Sequence, residues 1–167
     1  HLKGDKREYY RHDFIPLRRY LEIESCLPIK RKQLYLCSGR GPSFKKFSAI
    51  FPVTKDFCRL IGYYLSEGCI TKDKSLRTRF TFNKKEKEYI QDLKQILRKC
   101  GLHYSQYESK IFDSVTIKVS SKLFGLLIKD ILKCGTDCYT MQIPELVFDM
   151  KKKYKVEILK GLFRGDG

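Results

Sequence analysis

From Thr54 onward the apolar positions change their spacing in an orderly way: three or four residues apart, then two, then three or four again. Thr54 is a suitable N-cap for a helix that Gly68 ends. Residues 69–74 would supply a strand, with a turn near Lys74-Ser75, and Leu76 to Asn83 then alternates with period two. That alternation puts Leu76, Thr78, Phe80 and Phe82 on one face and Arg77, Arg79, Thr81 and Asn83 on the other. Lys84 to Cys100 returns to helical spacing, with Tyr89, Ile90, Leu93, Ile96 and Leu97 on one stripe and Gly101 as the cap. A second strand pair is expected from Leu102 to Glu108 and from Ile111 to Val119, about a turn at Ser109-Lys110. In its second strand Ile111, Asp113, Val115, Ile117 and Val119 share a face, with Phe112, Ser114, Thr116 and Lys118 opposite. Asp113 interrupts the apolar set and is expected near the turn. Ser120-Ser121 opens a helix running to Cys134 and stopped by Gly135, Pro144 starts a short helix, and a last helix runs from about Lys152 to Gly167.

The order from Thr54 is therefore helix, hairpin, helix, hairpin, helix, then the closing helix. It predicts an α+β domain with helices on one face of an antiparallel sheet. The other sheet face then carries Arg, Lys, Thr, Ser, Gln and Asn. A polar solvent face reads this way, and so does a twisted sheet that follows the major groove as a β-ribbon does. In the second case Arg77 and Arg79 suit guanine, and Gln106 and Asn83 suit adenine.

Two segments repeat one pattern. Leu60-Ile61-Gly62-Tyr63-Tyr64-Leu65-Ser66-Glu67-Gly68 and Leu159-Lys160-Gly161-Leu162-Phe163-Arg164-Gly165-Asp166-Gly167 each run Leu-x-Gly to a small residue, an acid and a glycine. Gly62 and Ser66 share one helix face, as do Gly161 and Gly165, so two such helices can approach backbone to backbone. Packed together, they would bring Glu67 and Asp166 to one end of their interface. An acid at a helix C-terminus opposes the macrodipole, which suggests a cation or a partner there. Two ordinary amphipathic helices with glycine caps and solvated acids would also produce these segments.

The paired motifs resemble the LAGLIDADG, or dodecapeptide, homing endonucleases, with Glu67 in place of the usual Asp and Asp166 matching. The run from Ile143-Pro144-Glu145 through Tyr154 to Gly167 is similar to the approach to a second motif in archaeal inteins and introns. The resemblance covers about residues 54–167. It implies an α-ββ-α-ββ-α half with a saddle-shaped antiparallel sheet, followed by the second motif helix, and an enzyme that hydrolyses DNA phosphodiester bonds site-specifically. Glu67 and Asp166, with the Gly68 and Gly167 backbone, would hold Mg²⁺ or Mn²⁺. Lys84 or Lys85 matches the position of a catalytic auxiliary that orients water or screens charge, Lys84 ahead of Lys118 in that role. Double-stranded DNA with a long target site would be the partner, contacted by Thr71, Lys72, Lys74, Arg77, Arg79, Thr81, Asn83, Tyr104, Gln106, Lys110, Ser114, Thr116 and Lys118. An RNA maturase or a non-cleaving DNA-binding regulator would use the same fold.

Composition adds a partner class and a compartment. The net charge of +16 and pI near 9.6 point to a polyanion. No apolar run reaches transmembrane length, and no membrane partner is expected. The 7 cysteines, at 26, 37, 58, 69, 100, 134 and 138, have no compact spacing, which argues for reduced thiols in a cytoplasmic setting, and the resemblance implies an archaeal one. Cys134 and Cys138 lack a second ligand pair for zinc. Residues 1–53 are basic and irregular, with short strands expected at His12-Asp13-Phe14-Ile15-Pro16 and Arg31 to Leu36 and a turn at Ser38-Gly39-Arg40-Gly41-Pro42. They would serve as a linker from an intein context or touch DNA through Arg18, Arg19, Lys30, Arg31 and Lys32. Residues 54–150 would form the first endonuclease half and 151–167 the second motif helix. The rest of the second half is expected from further along the same chain.

Overall fold

The computed structural model describes residues 17–26, 28, 33–38 and 45–166, with the side chains of 17–19, 38, 45–47 and 166 excepted. Two compact units result, His1–Leu34 and Tyr35–Gly167. In the first, helix α1 spans Leu17–Ile23 and a 3₁₀ turn follows at Glu24–Cys26. The expected strand at 12–16, the side chains of Arg18 and Arg19, and Lys30, Arg31, Lys32 and the turn residues 39–42 lie outside the described residues.

The second unit opens with a hairpin of β1 (Tyr35–Ser38) and β2 (Lys45–Ser48), with Tyr35 opposite Ser48. Among the described residues, the strand expected over Arg31 to Leu36 is seen from Tyr35. Phe51 then stacks 4.5 Å from Phe57, tying the approach to the next helix. Helix α2 (Lys55–Glu67) starts where the Thr54 hydroxyl accepts the Phe57 N–H at 3.1 Å. It runs directly into β3 (Gly68–Ile70), followed by β4 (Thr78–Asn83), α3 (Lys87–Lys99), β5 (Tyr104–Glu108) and β6 (Ser114–Val119). Helix α4 (Lys122–Leu126), capped by Ser121, continues as a π-helical segment at Leu127–Ile131. A 3₁₀ turn at Glu145–Val147 leads to α5 (Lys152–Asp166).

The four-stranded sheet has the order β3-β4-β6-β5, with every neighbouring pair antiparallel. Phe80 and Phe82 of β4 face Ile117 and Val115 of β6, and all four are buried with Leu60, Tyr63 and Tyr64 of α2 and Leu93, Ile96 and Leu97 of α3. The fold is α+β, with its helices on one face of the sheet.

Several boundaries differ from the sequence expectation, each for a local reason. Gly68 ends α2 without a left-handed turn, at φ −88° and ψ 148°, because it is already the first residue of β3. Its lack of a side chain is needed because a Cβ there would overlap Tyr64. Strand β3 is short because the chain folds into a loop around Asp73, and Leu76 sits at φ +45°. Helix α3 starts at Lys87, three residues late, since the Asn83 side chain accepts from the Lys85 N–H and Glu86 accepts from the Asn83 N–H. Its far end follows expectation: Gly101 at φ +68° closes a Schellman turn through Gly101 N–H to Arg98 O and Leu102 N–H to Leu97 O. The helix expected to reach Cys134 widens to π geometry after Leu126, and Lys133 already has φ +54°.

Candidate metal and nucleic-acid site

Helices α2 and α5 touch along their glycine faces. A Cβ at Gly62 would overlap the Ile158 carbonyl and come within 2.8 Å of the Gly161 Cα. One at Gly161 would overlap the Arg59 carbonyl and come within 2.8 Å of the Tyr63 nitrogen. At the next turn, a Cβ on Gly165 would overlap Ser66 and approach the Glu67 Cγ to 2.9 Å. Gly62 thus meets Gly161 and Ser66 meets Gly165, so the helices are parallel and aligned in the register of their sequence repeat. Glu67, half-buried, lies beside the last turn of α5, one residue from Asp166. The Asp166 side chain and Gly167 lie outside the described residues.

Two parallel helices ending together add the negative ends of their macrodipoles. Carboxylate oxygens at that spot suit a hard divalent cation, and Mg²⁺ is commonly held by one or two carboxylates plus substrate phosphates. Among the described residues no cluster of three or more His, Cys, Asp or Glu offers a protein-only cage. The donor set therefore fits an ion that completes its shell with backbone, water and phosphate oxygens.

A half-buried ionic network, missed by the sequence reading, ties the pair together. The Arg59 Nε donates to Glu157 at 2.8 Å, and its other arm donates to Asp92 on α3 at 2.8 Å. The Tyr63 hydroxyl donates to Asp92 at 2.9 Å, and Arg164 donates to the same carboxylate at 2.8 Å and to the Tyr63 oxygen at 3.2 Å. Lys160 donates to the buried Glu157 at 2.8 Å. Burial alone would lower the Arg59 pKa, but the hydrogen bonds it donates to Asp92 and Glu157 outweigh that and raise it. Burial pushes the Tyr63 phenol up to about 12, so it remains a donor at neutral pH. The one available signal was Arg164, a cation in the last turn of a helix.

The outer sheet face is set by register. Arg79 lies between Cys69 and Lys118, with Ser105 beyond; Thr81 pairs with Thr116, with Tyr107 beyond; and Asn83 pairs with Ser114. The hydroxyls of Thr81 and Thr116 are 3.4 Å apart, and Lys118 lies over the Tyr107 ring at 5.6 Å. Tyr104 and Gln106 are not on this face. They pair with Val119 and Ile117, so they point to the helix side, where Arg98 of α3 covers the Tyr104 ring at 5.8 Å. Ser105 and Tyr107 take the outward positions. Strand β5 has no strongly apolar marker to reveal this, and only its pairing with β6 fixes its faces.

The remaining expected contacts lie around the rim. Arg77 is held by its own loop, donating to Ser75 at 2.6 Å and to Asp73 at 2.7 Å. Hydrogen bonds from Ser75, then Thr71, hold the Asp73 carboxyl well below the usual carboxylate range. Arg79 is exposed and makes no ion pair among the described residues, which leaves its guanidinium available. Lys72 lies 3.5 Å from Asp137, and Lys74 and Lys110 are exposed. Lys84 is not in the first turn of a helix: its Nζ donates to the Ser109 carbonyl at 3.0 Å and sits 3.9 Å from Asp113 at the β5–β6 turn.

Residues 55–124 match the family model described as the LAGLIDADG-like domain. The chain is 41% identical over 170 residues to an uncharacterised protein of Methanocaldococcus jannaschii, covering 95% of this chain and 18% of that protein. It is 32% identical over 163 residues to the DNA polymerase II large subunit of Thermococcus kodakarensis, covering 97% and 9%. A DNA-directed RNA polymerase subunit of M. jannaschii is 27% identical over 114 residues, 67% of this chain and 12% of the subunit. The chain thus spans less than a fifth of the length of these relatives. Among solved structures it is similar to I-DmoI in complex with DNA and Mn, with TM-score 0.46 and 16% identity over 68% of this chain and 63% of that one.

Proposed function

With residues 55–124 a LAGLIDADG-like domain, we propose that the protein is the first half, plus the second motif helix, of a site-specific homing endonuclease that cuts double-stranded DNA with Mg²⁺ or Mn²⁺. The observation that carries this reading is the in-register contact of α2 and α5, which sets Glu67 beside the last turn of α5. Glu67 and Asp166, with backbone at Gly68 and Gly167, would hold the ion. Such an ion polarises a phosphoryl oxygen and makes bound water a better nucleophile. Arg79, Thr81, Asn83, Ser114, Thr116 and Lys118 present the cationic, hydrogen-bonding face that a long duplex would cross.

Matches of one short segment to unrelated hosts, a DNA polymerase subunit and an RNA polymerase subunit, support an inserted element such as an intein. The source organisms of those relatives support an archaeal setting. Residues 1–53 would then be a connecting segment, and the remaining second half would come from the same natural protein. It would cover the apolar side of α5, where Val156, Leu159 and Phe163 are exposed.

The test is cutting of a duplex site library by the full natural protein in Mg²⁺ and in EDTA, with Glu67→Gln and Asp166→Asn alongside. Metal-dependent cuts at one long site, lost in both variants, are expected. Site-specific binding without cutting would make the protein a regulator, and preference for folded intron RNA would make it a maturase.

A further inference from the structure

Along the α2–α5 contact glycine and serine faces let the backbones meet, with Cys58 and Leu65 of α2 packed against Tyr154 and Ile158 of α5. Polar side chains add a directional hold: Arg59 of α2 meets Glu157 of α5 directly, and Arg59, Tyr63 and Arg164 converge on Asp92 of α3.

Asp92 receives Arg59 and Tyr63 from α2 and Arg164 from α5. The same Arg59 nitrogen also reaches the second Asp92 oxygen at 3.0 Å, so it sits between the two carboxylate oxygens. Its side chain is 22% exposed, so the group is enclosed but reachable by water at one edge. Arg164 is two residues before Asp166, and Tyr63 is four before Glu67, so the clamp grips each helix within about one turn of its acid. The Arg164 guanidinium also lies over the Tyr89 ring of α3 at 5.5 Å, which fixes its approach from a second side. Glu157, at the other end of α5, holds Arg59 from behind.

We propose that Asp92 is a positioning residue: by clamping Arg59, Tyr63 and Arg164 it sets how far α5 stands along α2, and so the separation of the Glu67 and Asp166 carboxylates. The inference rests on the endonuclease reading and deepens it. Asp92 acts through Arg164 and Tyr63, which donate to it. A displacement on the order of 1 Å at a reacting centre costs about 100-fold in rate, so loss of the clamp has a large effect without removing any ligand.

The experiment uses the full natural protein. Mn²⁺ uptake is read by loss of the free-ion EPR signal, with Mg²⁺-dependent cutting and duplex affinity measured beside it. Asp92→Asn keeps the shape and removes the charge; Tyr63→Phe removes one arm of the clamp. As a control, Ile128→Val or Ile128→Ala, in the core and outside the clamp, is chosen to match the fall in melting temperature. Asp92→Asn is expected to raise the Mn²⁺ midpoint roughly tenfold or more and slow cutting on the order of 100-fold, with duplex affinity within about threefold. Tyr63→Phe should shift the midpoint in the same direction and less, and the Ile128 control should leave it in place. An unchanged midpoint in Asp92→Asn, or an equal shift in the Ile128 control, would overturn the positioning role alone. Wild-type protein that takes up no Mn²⁺ and cuts no duplex would overturn the endonuclease reading and this inference with it.

Discussion

Leu60 and Tyr64 on α2 are fully buried, whereas Leu159 and Phe163, which hold the same places in the repeat on α5, are 48% and 65% exposed. Both helices present small residues to each other. They differ in what lies on the opposite side. Helix α2 packs its large side chains against Phe80 and Phe82, with Tyr64 edge-on to Phe80 at 6.2 Å and Tyr63 edge-on to Phe82 at 5.8 Å. Helix α5 buries only Glu157, Ile158 and the glycine face, and the ionic clamp compensates for the missing apolar cover. One sequence pattern thus encodes two separable jobs: a pairing face that works immediately, and a second face that works only when a sheet lies over it.

The sharpest way to break the comparison is at the shared face. Gly161→Val would drive a side chain into the Arg59 carbonyl and the Tyr63 nitrogen, neither of which can move without unwinding α2. A loss of about 3 kcal/mol in urea denaturation is expected. Helix α5 should leave while α2 stays on its sheet, seen as faster amide exchange confined to residues 152–166. Equal exchange in both helices would show that they unfold as one body.

The outer faces separate the two helices next. Leu60→Ala should cost about 2–5 kcal/mol, because it leaves a cavity against the sheet. Leu159→Ala in this chain should stay within about 0.5 kcal/mol. In the full natural protein the Leu159 penalty is expected to rise to about 2 kcal/mol as the second half covers it. A penalty that stays small there would mean this face is never enclosed.

Acid separates them by charge. Burial would raise the Glu157 pKa, but hydrogen bonds from Lys160 and Arg59 outweigh it and hold it below the ordinary 4.5. Between those two values the unfolded chain binds more protons than the folded one, so stability falls as pH drops through the window below about 4.5. Glu157→Gln should flatten that part of the acid limb in a pH series of melts. An unchanged slope would remove Glu157 from the account.

The one gain in stability concerns the sheet that covers α2. The Thr78 hydroxyl is buried and finds no hydrogen-bond partner among the described residues. Thr78→Val should therefore stabilise by about 1 kcal/mol, read as a higher urea midpoint at constant slope.

Much of this architecture was legible where periodicity and packing agree. The stripe Ile90, Leu93, Ile96 and Leu97 and the alternation in β4 and β6 predicted their buried faces, because each apolar position there meets the core. Tyr104 and Gln106 were misplaced because an edge strand of mixed polar residues has no apolar beat, and its faces depend on a partner. The helix after Ser121 was overextended because π geometry leaves no distinct sequence mark. At the site, the repeat revealed the glycine faces, which meet in register. It could not reveal Asp92, whose partners Arg59, Tyr63 and Arg164 are distant in sequence and share no local pattern with it.

The central claim is that equivalent ends of α2 and α5 form one metal site. Fe²⁺ bound in place of Mg²⁺ in the full natural protein, with ascorbate, would cut the backbone nearest the ion. The account predicts scission at residues 66–68 and 165–167 together, with Glu67→Gln or Asp166→Asn abolishing both. Scission beside one helix only, or each substitution removing only its own cut, would contradict it.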